Sequence, residues 1–453
     1  MVAIIPKKSD LVTIIGQGFV GLPMAIAIAR IKVNNNSLFK VEGIEKNDKR
    51  GKELKKKIDN HIFPISSKDI FLKKEFQKVV NKNYFLNLSL DNLKKSDVII
   101  VSVGFDFSKK NSIHQLKNLI KKIFKIIKKG ALLLIETTLP PKTCEDILMS
   151  IAITELKERR LSFKDVAFAY SFERVTPGKN YLKSIINSSR VYSGVNKYSK
   201  KKCKLFLKKI INYKKYPLVE LDNIRDVEAT KIFENSYRAV NISLIDEWTK
   251  FSNKAKINLN SCLSAIRLRE THKNIRYPGL GVGGYCLTKD PKFLNYSSNK
   301  IMNIKNKFPI TELALKINQN MFKTSYKFIK SNTASLKGKN ILFFGISYKE
   351  DVGDIRLSPA IQLVNLLNTN GSNVFYYDEN VRENINNCKR VKNLKLKNFD
   401  IILFCQKQDA IKSIIKLNLP KKITYFDLNN VLNSSMINFF TKKKYIFFQL
   451  GKD

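Results

Sequence analysis

The sequence predicts an α/β protein with three parts: an N-terminal Rossmann-type parallel sheet, a central helical domain with a long spine helix, and a smaller C-terminal Rossmann-like α/β domain. Apolar strands alternate with amphipathic helices near both ends of the chain, which is typical of parallel sheets with helical crossovers. A long helical stretch without glycine or proline separates the two regions. At 453 residues the chain exceeds one ordinary domain, and we expect domains at 1–215, 216–332 and 333–453.

A glycine-rich motif directly follows the first predicted strand. The apolar run 11–15 leads into G-x-G-x-x-G at 16–21, and a helix-forming stretch comes next. This order of strand, motif and helix is the structural context of a dinucleotide site. The first glycine would make the tight turn, the second would admit the pyrophosphate and the third would let helix pack on strand. We therefore expect cofactor contacts at Gly16, Gly18, Phe19, Val20 and Gly21.

The second predicted strand, residues 39–45, ends in an acidic residue. At this place a carboxylate such as Glu45 accepts hydrogen bonds from the ribose hydroxyls, which favours NAD over NADP. The alternative is a surface glutamate that merely follows a strand. We predict NAD as the cofactor.

Polar residues follow two further predicted strands. Thr138 comes after the apolar run 131–135, and Glu173 comes after the strand at 165–170. Parallel sheets place their sites at the carboxyl ends of the strands, so both loops are expected at that edge. Taken alone, each residue could be an ordinary cap or loop residue.

The long helix is predicted between about residues 223 and 255. Lys231 and Asn235 stand four residues apart and therefore share one face. Such a pair is usually only solvated. If the face turns towards a reacting carbonyl, however, an ammonium and an amide can stabilise an oxyanion.

A second glycine-rich stretch, residues 277–291, presents a cysteine. Four glycines precede Cys286, and Lys289 and Asp290 follow it. Cysteine is a strong nucleophile as a thiolate, and a nearby cation such as Lys289 would favour that form. The alternative is a buried cysteine after a turn.

The C-terminal region restarts the strand pattern at 340–346, but the turn that follows lacks G-x-G-x-x-G. Lys349 and Arg356 come soon after this strand. Two cations in this place suggest a phosphate-bearing substrate rather than a second dinucleotide.

The composition of the chain argues against several other classes of function. Lys and Arg number 83 against 38 acidic residues, giving a formal net charge of +45. The lysines are spread along the whole chain without a nucleic-acid-binding signature, so we do not expect a nucleic-acid partner. Six scattered cysteines and three histidines predict neither a disulfide framework nor a metal site. Lacking a long apolar run, the protein is expected to be cytoplasmic, without a membrane span.

These motifs together resemble the UDP-glucose/GDP-mannose dehydrogenase family, and they fall in the family's order. The matching stretches are 16–21, 136–143, 171–178, 228–235, 278–291 and 345–360. The resemblance implies an NAD-binding domain, a central dimerisation domain, a C-terminal nucleotide-binding domain, and a homodimer or higher oligomer. It also implies oxidation of a nucleotide sugar to its uronic acid, on a route to surface polysaccharide.

The resemblance further implies residue roles. Cys286 would trap the aldehyde as a thiohemiacetal and then carry a thioester. Lys231 and Asn235 would stabilise the charged oxygen, Asp290 and Thr138 would hold water, and Glu173 would act as the base for hydrolysis. The substrate is expected at Gly283, Lys349 and Arg356.

Four positions depart from the family pattern. Gly104-Phe105-Asp106 stands where a Thr-Pro pair is usual, Phe172 replaces a proline, Lys142 replaces a glycine, and Tyr285 stands where His or Ser is common. None of these changes removes a catalytic group. Motif details point mainly to a UDP-N-acetylhexosamine as substrate, whereas Lys289 resembles the UDP-glucose branch.

Other functions stay open at this point. The substrate could be UDP-glucose or GDP-mannose. A simple NAD alcohol dehydrogenase would stop at the aldehyde. A catalytically idle protein could keep the nucleotide folds to bind nucleotides or a polyanion.

Overall fold

The computed structural model describes residues 9–107, 111–414 and 419–452, and the chain divides into two compact units. The first unit comprises residues 1–233 with 293–306, and the second comprises 234–292 with 307–453. Helix α8, Ile224–Ala255, contributes residues to both units and runs for 32 residues, as the long helical pattern predicts.

The first unit is built on an eight-stranded sheet with the order β10-β9-β8-β7-β6-β1-β4-β5. The six strands from β5 to β8 are parallel and follow the Rossmann order, while β9 runs antiparallel to β8. This confirms the predicted N-terminal parallel sheet. The strands are β1 Asp10–Ile15, β4 Phe39–Ile44, β5 Tyr84–Asn87, β6 Val98–Val101, β7 Leu132–Ile135, β8 Ala167–Phe172, β9 Arg190–Gly194 and β10 Leu218–Glu220, with a separate hairpin of β2 Lys32–Val33 and β3 Asn36–Ser37.

Helices cover this sheet and enclose the core. The first of them, α1, is buried along its whole length and packs against β4 and α6, which fixes the glycine-rich turn before it. A π-helical turn, Thr143–Leu148, leads into α5. The helices are α1 Gly21–Ala29, α2 Lys49–Asp59, α3 Ile70–Val79, α4 Ser112–Ile126, α5 Met149–Glu158, α6 Tyr181–Ile186, α7 Lys197–Ile210 and, later in the chain, α11 Phe293–Tyr296.

The second unit contains a six-stranded parallel sheet with the order β13-β12-β11-β14-β15-β16. This is again the Rossmann order, so the predicted C-terminal α/β domain is confirmed. Gly345 has φ +82° and turns the chain after β11, although no G-x-G-x-x-G follows. The strands are β11 Asn340–Phe344, β12 Asn373–Tyr377, β13 Lys389–Arg390, β14 Ile401–Phe404, β15 Thr424–Asp427 and β16 Ile446–Gln449.

The helices of the second unit include the short element that carries the predicted nucleophile, α10. They are α9 Leu259–Ile266, α10 Tyr285–Lys289, α12 Pro309–Asn318, α13 Met321–Ser331, α14 Pro359–Thr369, α15 Ala410–Ile414 and α16 Ser434–Lys442. Within the described ranges of both units, the helices are all too short or too polar to cross a membrane.

Lys142 adopts a left-handed backbone conformation, with φ +68° and ψ 3°, where the family pattern has glycine. A β-carbon in this conformation costs about 1–2 kcal/mol of folding free energy, which glycine would remove. Glycine also loses more conformational entropy on folding, and this offsets about 0.5–1 kcal/mol of the gain. Lys142→Gly should therefore stabilise the protein by roughly 0.5–1 kcal/mol, measured as a higher urea midpoint. As a control, glycine at the exposed helical Lys117 of α4 should destabilise by about 1 kcal/mol. A lower midpoint for Lys142→Gly would contradict this assignment of strain.

Two buried carboxyl groups make stability depend on pH. Burial raises the pKa of Glu228 to about 8 and of Asp427 to about 6. Each group keeps its proton in the folded state at pH values where the unfolded chain has already released it. Their stabilising contribution is therefore complete at acidic pH and is lost as pH rises from about 4.5 through about 8.

We expect the urea midpoint to fall across this pH range. Glu228→Gln, which cannot ionise, should show a shallower fall than the wild-type protein. Urea titrations at several pH values between 5 and 9 measure both slopes, and equal slopes would argue against a buried, protonated Glu228.

Candidate active site

The glycine-rich turn after β1 has the geometry of a phosphate cradle. Gly16 has φ +93°, and a β-carbon there would lie 2.6 Å from the Ser102 carbonyl oxygen. A β-carbon at Gly21 would overlap the carbonyl group of Gly16, so helix and strand need this glycine in order to approach. By contrast, the space next to Gly18 is open. An open approach at the middle glycine is what a pyrophosphate group requires.

The remaining predicted cofactor residues surround this turn. Glu45 directly follows β4, and its carboxylate accepts hydrogen bonds from the backbone N–H groups of Gln17 at 3.0 Å and Lys46 at 3.1 Å. Phe19 is partly exposed, and its carbonyl oxygen accepts a hydrogen bond from the Tyr181 hydroxyl. Val20 is the residue before α1. The turn, the helix start and the carboxylate together fit a dinucleotide.

The loops after β7 and β8 carry the predicted Thr138 and Glu173. Thr137 anchors the first loop, since its hydroxyl donates to the Val103 carbonyl at 2.9 Å and leaves the neighbouring Thr138 at the loop start. Thr138 itself is partly buried. In the second loop, the Glu173 carboxylate accepts the N–H of Val175.

Lys231 joins the second loop to α8. Its ammonium is buried and donates to the Glu173 backbone carbonyl at 2.9 Å. The same ammonium lies 5.3 Å from the centre of the Phe172 ring, a cation–π contact. The first unit therefore brings Lys231 and Glu173 together, and the unusual Phe172 provides the surface beneath them.

Asn235 lies one helical turn after Lys231 and makes its contact within the second unit. Its amide donates to the Asp290 carboxylate at 2.9 Å, and both side chains are buried. Lys289 lies 3.7 Å from the other oxygen of Asp290. The carboxylate after the cysteine is thus held in place by two partners.

Cys286 is exposed near the start of α10. The glycines before it are packed so closely that a β-carbon on Gly283 would lie 2.6 Å from the β-carbon of Tyr348, and one on Gly284 would lie 2.7 Å from the Tyr348 ring. Gly283, predicted to contact substrate, is therefore needed for the shape of the loop. No local sequence pattern indicates that Tyr348 shapes it.

Lys349, predicted to bind a phosphate, interacts electrostatically with Cys286. Burial lowers the pKa of Lys349, while the carboxylate of Glu350 opposes the shift. Lys289, expected beside this thiol, makes an ion pair with Asp290 at 3.7 Å, and its expected effect on Cys286 stays a prediction.

Arg356 is fixed by two neighbours. Its guanidinium makes a bidentate ion pair with Asp354, with contacts of 2.9 and 2.6 Å, and lies 4.6 Å from the centre of the Tyr285 ring. Tyr285, one of the departures from the family pattern, thus orients a cation predicted to bind substrate. The sequence pattern Asp-x-Arg could have indicated the ion pair. Nothing in the local sequence, however, indicates the contact between Arg356 and the Tyr285 ring.

A buried ion pair flanks the strand that leads to Glu173. Arg190 begins β9, Glu136 directly follows β7, and their side chains lie 3.3 Å apart with 1% exposure each. The strand between them is β8, whose Phe172 pairs with Val191 of β9. Each charge stands beside an apolar run in the sequence, but no local signal predicts that the two residues pair.

The other departure, at residues 104–106, makes an aromatic cluster. Phe105 is buried, and its ring centre lies 5.8 Å from that of Phe293. Phe107 packs against Phe293 and Tyr296 at 5.3 and 4.7 Å. The loop after β6 is therefore held by apolar packing against α11.

Comparison with known families gives matches along most of the chain. Residues 10–213 match the NAD binding domain of the UDP-glucose/GDP-mannose dehydrogenase family, residues 225–320 its central domain, and residues 342–434 its UDP binding domain.

Individual relatives agree with this assignment. A UDP-N-acetyl-D-mannosamine dehydrogenase of Methanocaldococcus jannaschii is 30% identical over 439 residues, covering 94% of this chain and 93% of that protein. One from Campylobacter jejuni is 29% identical over 401 residues, covering 85% and 90%. Among solved structures, the UDP-N-acetyl-mannosamine dehydrogenase Cap5O of Staphylococcus aureus has a TM-score of 0.75 at 25% identity, covering 98% of each chain.

Motif order, the two Rossmann sheets and these matches lead to one assignment. The chain belongs to the UDP-glucose/GDP-mannose dehydrogenase family and is an NAD-dependent UDP-sugar dehydrogenase.

Proposed function

We propose that this enzyme oxidises the C6 alcohol of UDP-N-acetylmannosamine to the uronic acid in two successive oxidations through Cys286. The observation that carries the proposal is the exposed thiol of Cys286, which precedes a buried carboxylate at Asp290 that is held by Asn235 and Lys289. The relatives at 27–30% identity that bear the name of this substrate support the choice of sugar.

The first oxidation turns the primary alcohol into an aldehyde and releases a proton. NAD, when bound, accepts the two electrons of each oxidation. The turn at Gly16, Gly18 and Gly21 would hold its pyrophosphate, with Phe19 and Val20 beside it, and Glu45 would accept the ribose hydroxyls. These residues fit NAD, because the open space next to Gly18 leaves room for the pyrophosphate.

Cys286 then carries the sugar between the two oxidations. Its sulfur adds to the aldehyde carbon and gives a thiohemiacetal, which the second oxidation converts into a thioester. Lys231 and Asn235 would stabilise the negative charge on the oxygen of these intermediates. Because both side chains are buried and hydrogen-bonded, little reorganisation is needed during the reaction.

Hydrolysis releases the product. Asp290 and Thr138 would orient a water molecule, and Glu173 would take its proton as the oxygen attacks the thioester carbon. The C–S bond then breaks and the thiol regains a proton. Lys349 and Arg356 would bind the charged nucleotide-sugar, with Gly283 beside it.

Replacing the sulfur tests the thioester. Cys286→Ser should slow the second oxidation at least about a thousandfold, since an alkoxide is harder to form and the ester is hydrolysed more slowly. NADH formed per sugar should fall from two to one at most, with aldehyde as the product. Cys262→Ser, a change at another exposed cysteine of the same unit, should keep both steps. Two NADH per sugar at an unchanged rate in Cys286→Ser would refute the thioester.

A panel of sugars tests the substrate. We expect two NADH per sugar from UDP-N-acetylmannosamine, and at least about tenfold lower kcat/KM for UDP-N-acetylglucosamine, UDP-N-acetylgalactosamine, UDP-glucose and GDP-mannose. Preferred turnover of UDP-glucose would overturn the choice of sugar. Binding of NAD without oxidation of any member would point to an idle nucleotide-binding protein.

A further inference from the structure

Glu228 is a fully buried acid on α8, one helical turn before Lys231. Its carboxyl group accepts the backbone N–H of Cys144 at 2.9 Å. One carboxyl oxygen has no hydrogen-bond partner among the described residues. A buried acid therefore holds the end of the loop that begins at Thr138.

The rest of this loop is also anchored. The Thr143 hydroxyl donates to the Pro140 carbonyl at 2.6 Å, and the Ser297 hydroxyl donates to the Pro141 carbonyl at 2.5 Å. Irregular backbone such as this needs partners outside a helix or sheet. The anchor supplied by α8 is Glu228, so loss of its carboxyl group would leave the buried N–H group of Cys144 without this acceptor.

The same part of α8 contacts both catalytic loops. Glu228 bonds the loop after β7, and Lys231, three residues later, bonds the loop after β8 through the Glu173 carbonyl. Residues three apart are neighbours on a helix surface. One helical turn therefore sets the spacing between Thr138 and Glu173.

We propose that Glu228 is a positioning residue that locks the Thr138 loop to the turn of α8 carrying Lys231. The inference rests on the proposed function, in which Thr138 and Glu173 serve thioester hydrolysis. A displacement of about 1 Å in such a group can cost on the order of a hundredfold in rate.

The surroundings of Glu228 favour its protonated form. Burial raises its pKa to about 8, hydrogen bonds from Cys144 and Lys142 oppose this, and the charge of Glu145 adds to it. Nearby cations are engaged elsewhere: Arg225 pairs with Glu145 at 2.9 Å, and the Lys142 ammonium lies 3.5 Å from Asp146. At neutral pH a carboxamide can therefore replace the carboxylic acid, because its oxygen can accept the same N–H bond.

Hydrogen exchange tests the clamp without substrate. In Glu228→Ala, amide exchange in segment 139–144 should become at least about tenfold faster than in the wild-type protein, and Glu228→Gln should restore slow exchange. Glu155→Ala is the matched control, because Glu155 is an equally buried acid of the first unit on α5, paired with Lys121. Unchanged exchange in Glu228→Ala, or equal acceleration in Glu155→Ala, would overturn the proposal.

Kinetics on folded protein test the consequence. Glu228→Ala should lower kcat by about ten- to a hundredfold, with KM for NAD and sugar changed less than about threefold, and the sugar thioester should accumulate on Cys286 in mass spectra. Glu228→Gln should keep most of the activity, since its carboxamide oxygen can still accept the Cys144 N–H. A loss of activity no greater than in Glu155→Ala would contradict the positioning role. If the wild-type protein oxidises no UDP-sugar, the proposed function fails, and the exchange measurement still decides whether the clamp exists.

Discussion

The site depends first on the parallel arrangement of the strands. In the first unit, β1, β4, β7 and β8 all end at one edge of the sheet, and each is followed directly by residues assigned to cofactor or chemistry. The helix that follows β1 can pack only if Gly21 meets the Gly16 carbonyl without a side chain. Residues separated by more than a hundred positions in the chain are thereby placed by backbone hydrogen bonds rather than by long side-chain networks.

Buried polar groups then fix the details. Asn235 with Asp290, Lys231 with the Glu173 carbonyl, and Arg190 with Glu136 each place a charge or amide where water is scarce. Burial of such groups adds little to stability unless their partners are well placed, and it strongly penalises the loss of one partner. Each of these pairs is therefore held firmly within its own unit, but a single truncation leaves a buried group without its partner.

Much of this arrangement could be predicted from the sequence. The two α/β regions, the glycine turn at Gly16, the long helix and the loops of Thr138 and Glu173 follow from local periodicity and from motif spacing, because these features are encoded within a few residues. The roles of the catalytic residues stay predictions that depend on the resemblance. The pairing of Arg190 with Glu136, the anchoring by Glu228 and the ring of Tyr348 had no local signal, since each depends on which distant strands or loops become neighbours.

The packing of Tyr348 against Gly283 and Gly284 also bears on how the protein is made. Synthesis proceeds from the N-terminus, so Cys286 leaves the ribosome before Tyr348, Leu357 and Pro359, which shape the loop around it. Until the C-terminal sheet has folded, the glycines lack the surface against which they pack. The loop around Cys286 thus takes its final shape only when the last part of the chain is in place, some time after the thiol itself has been translated.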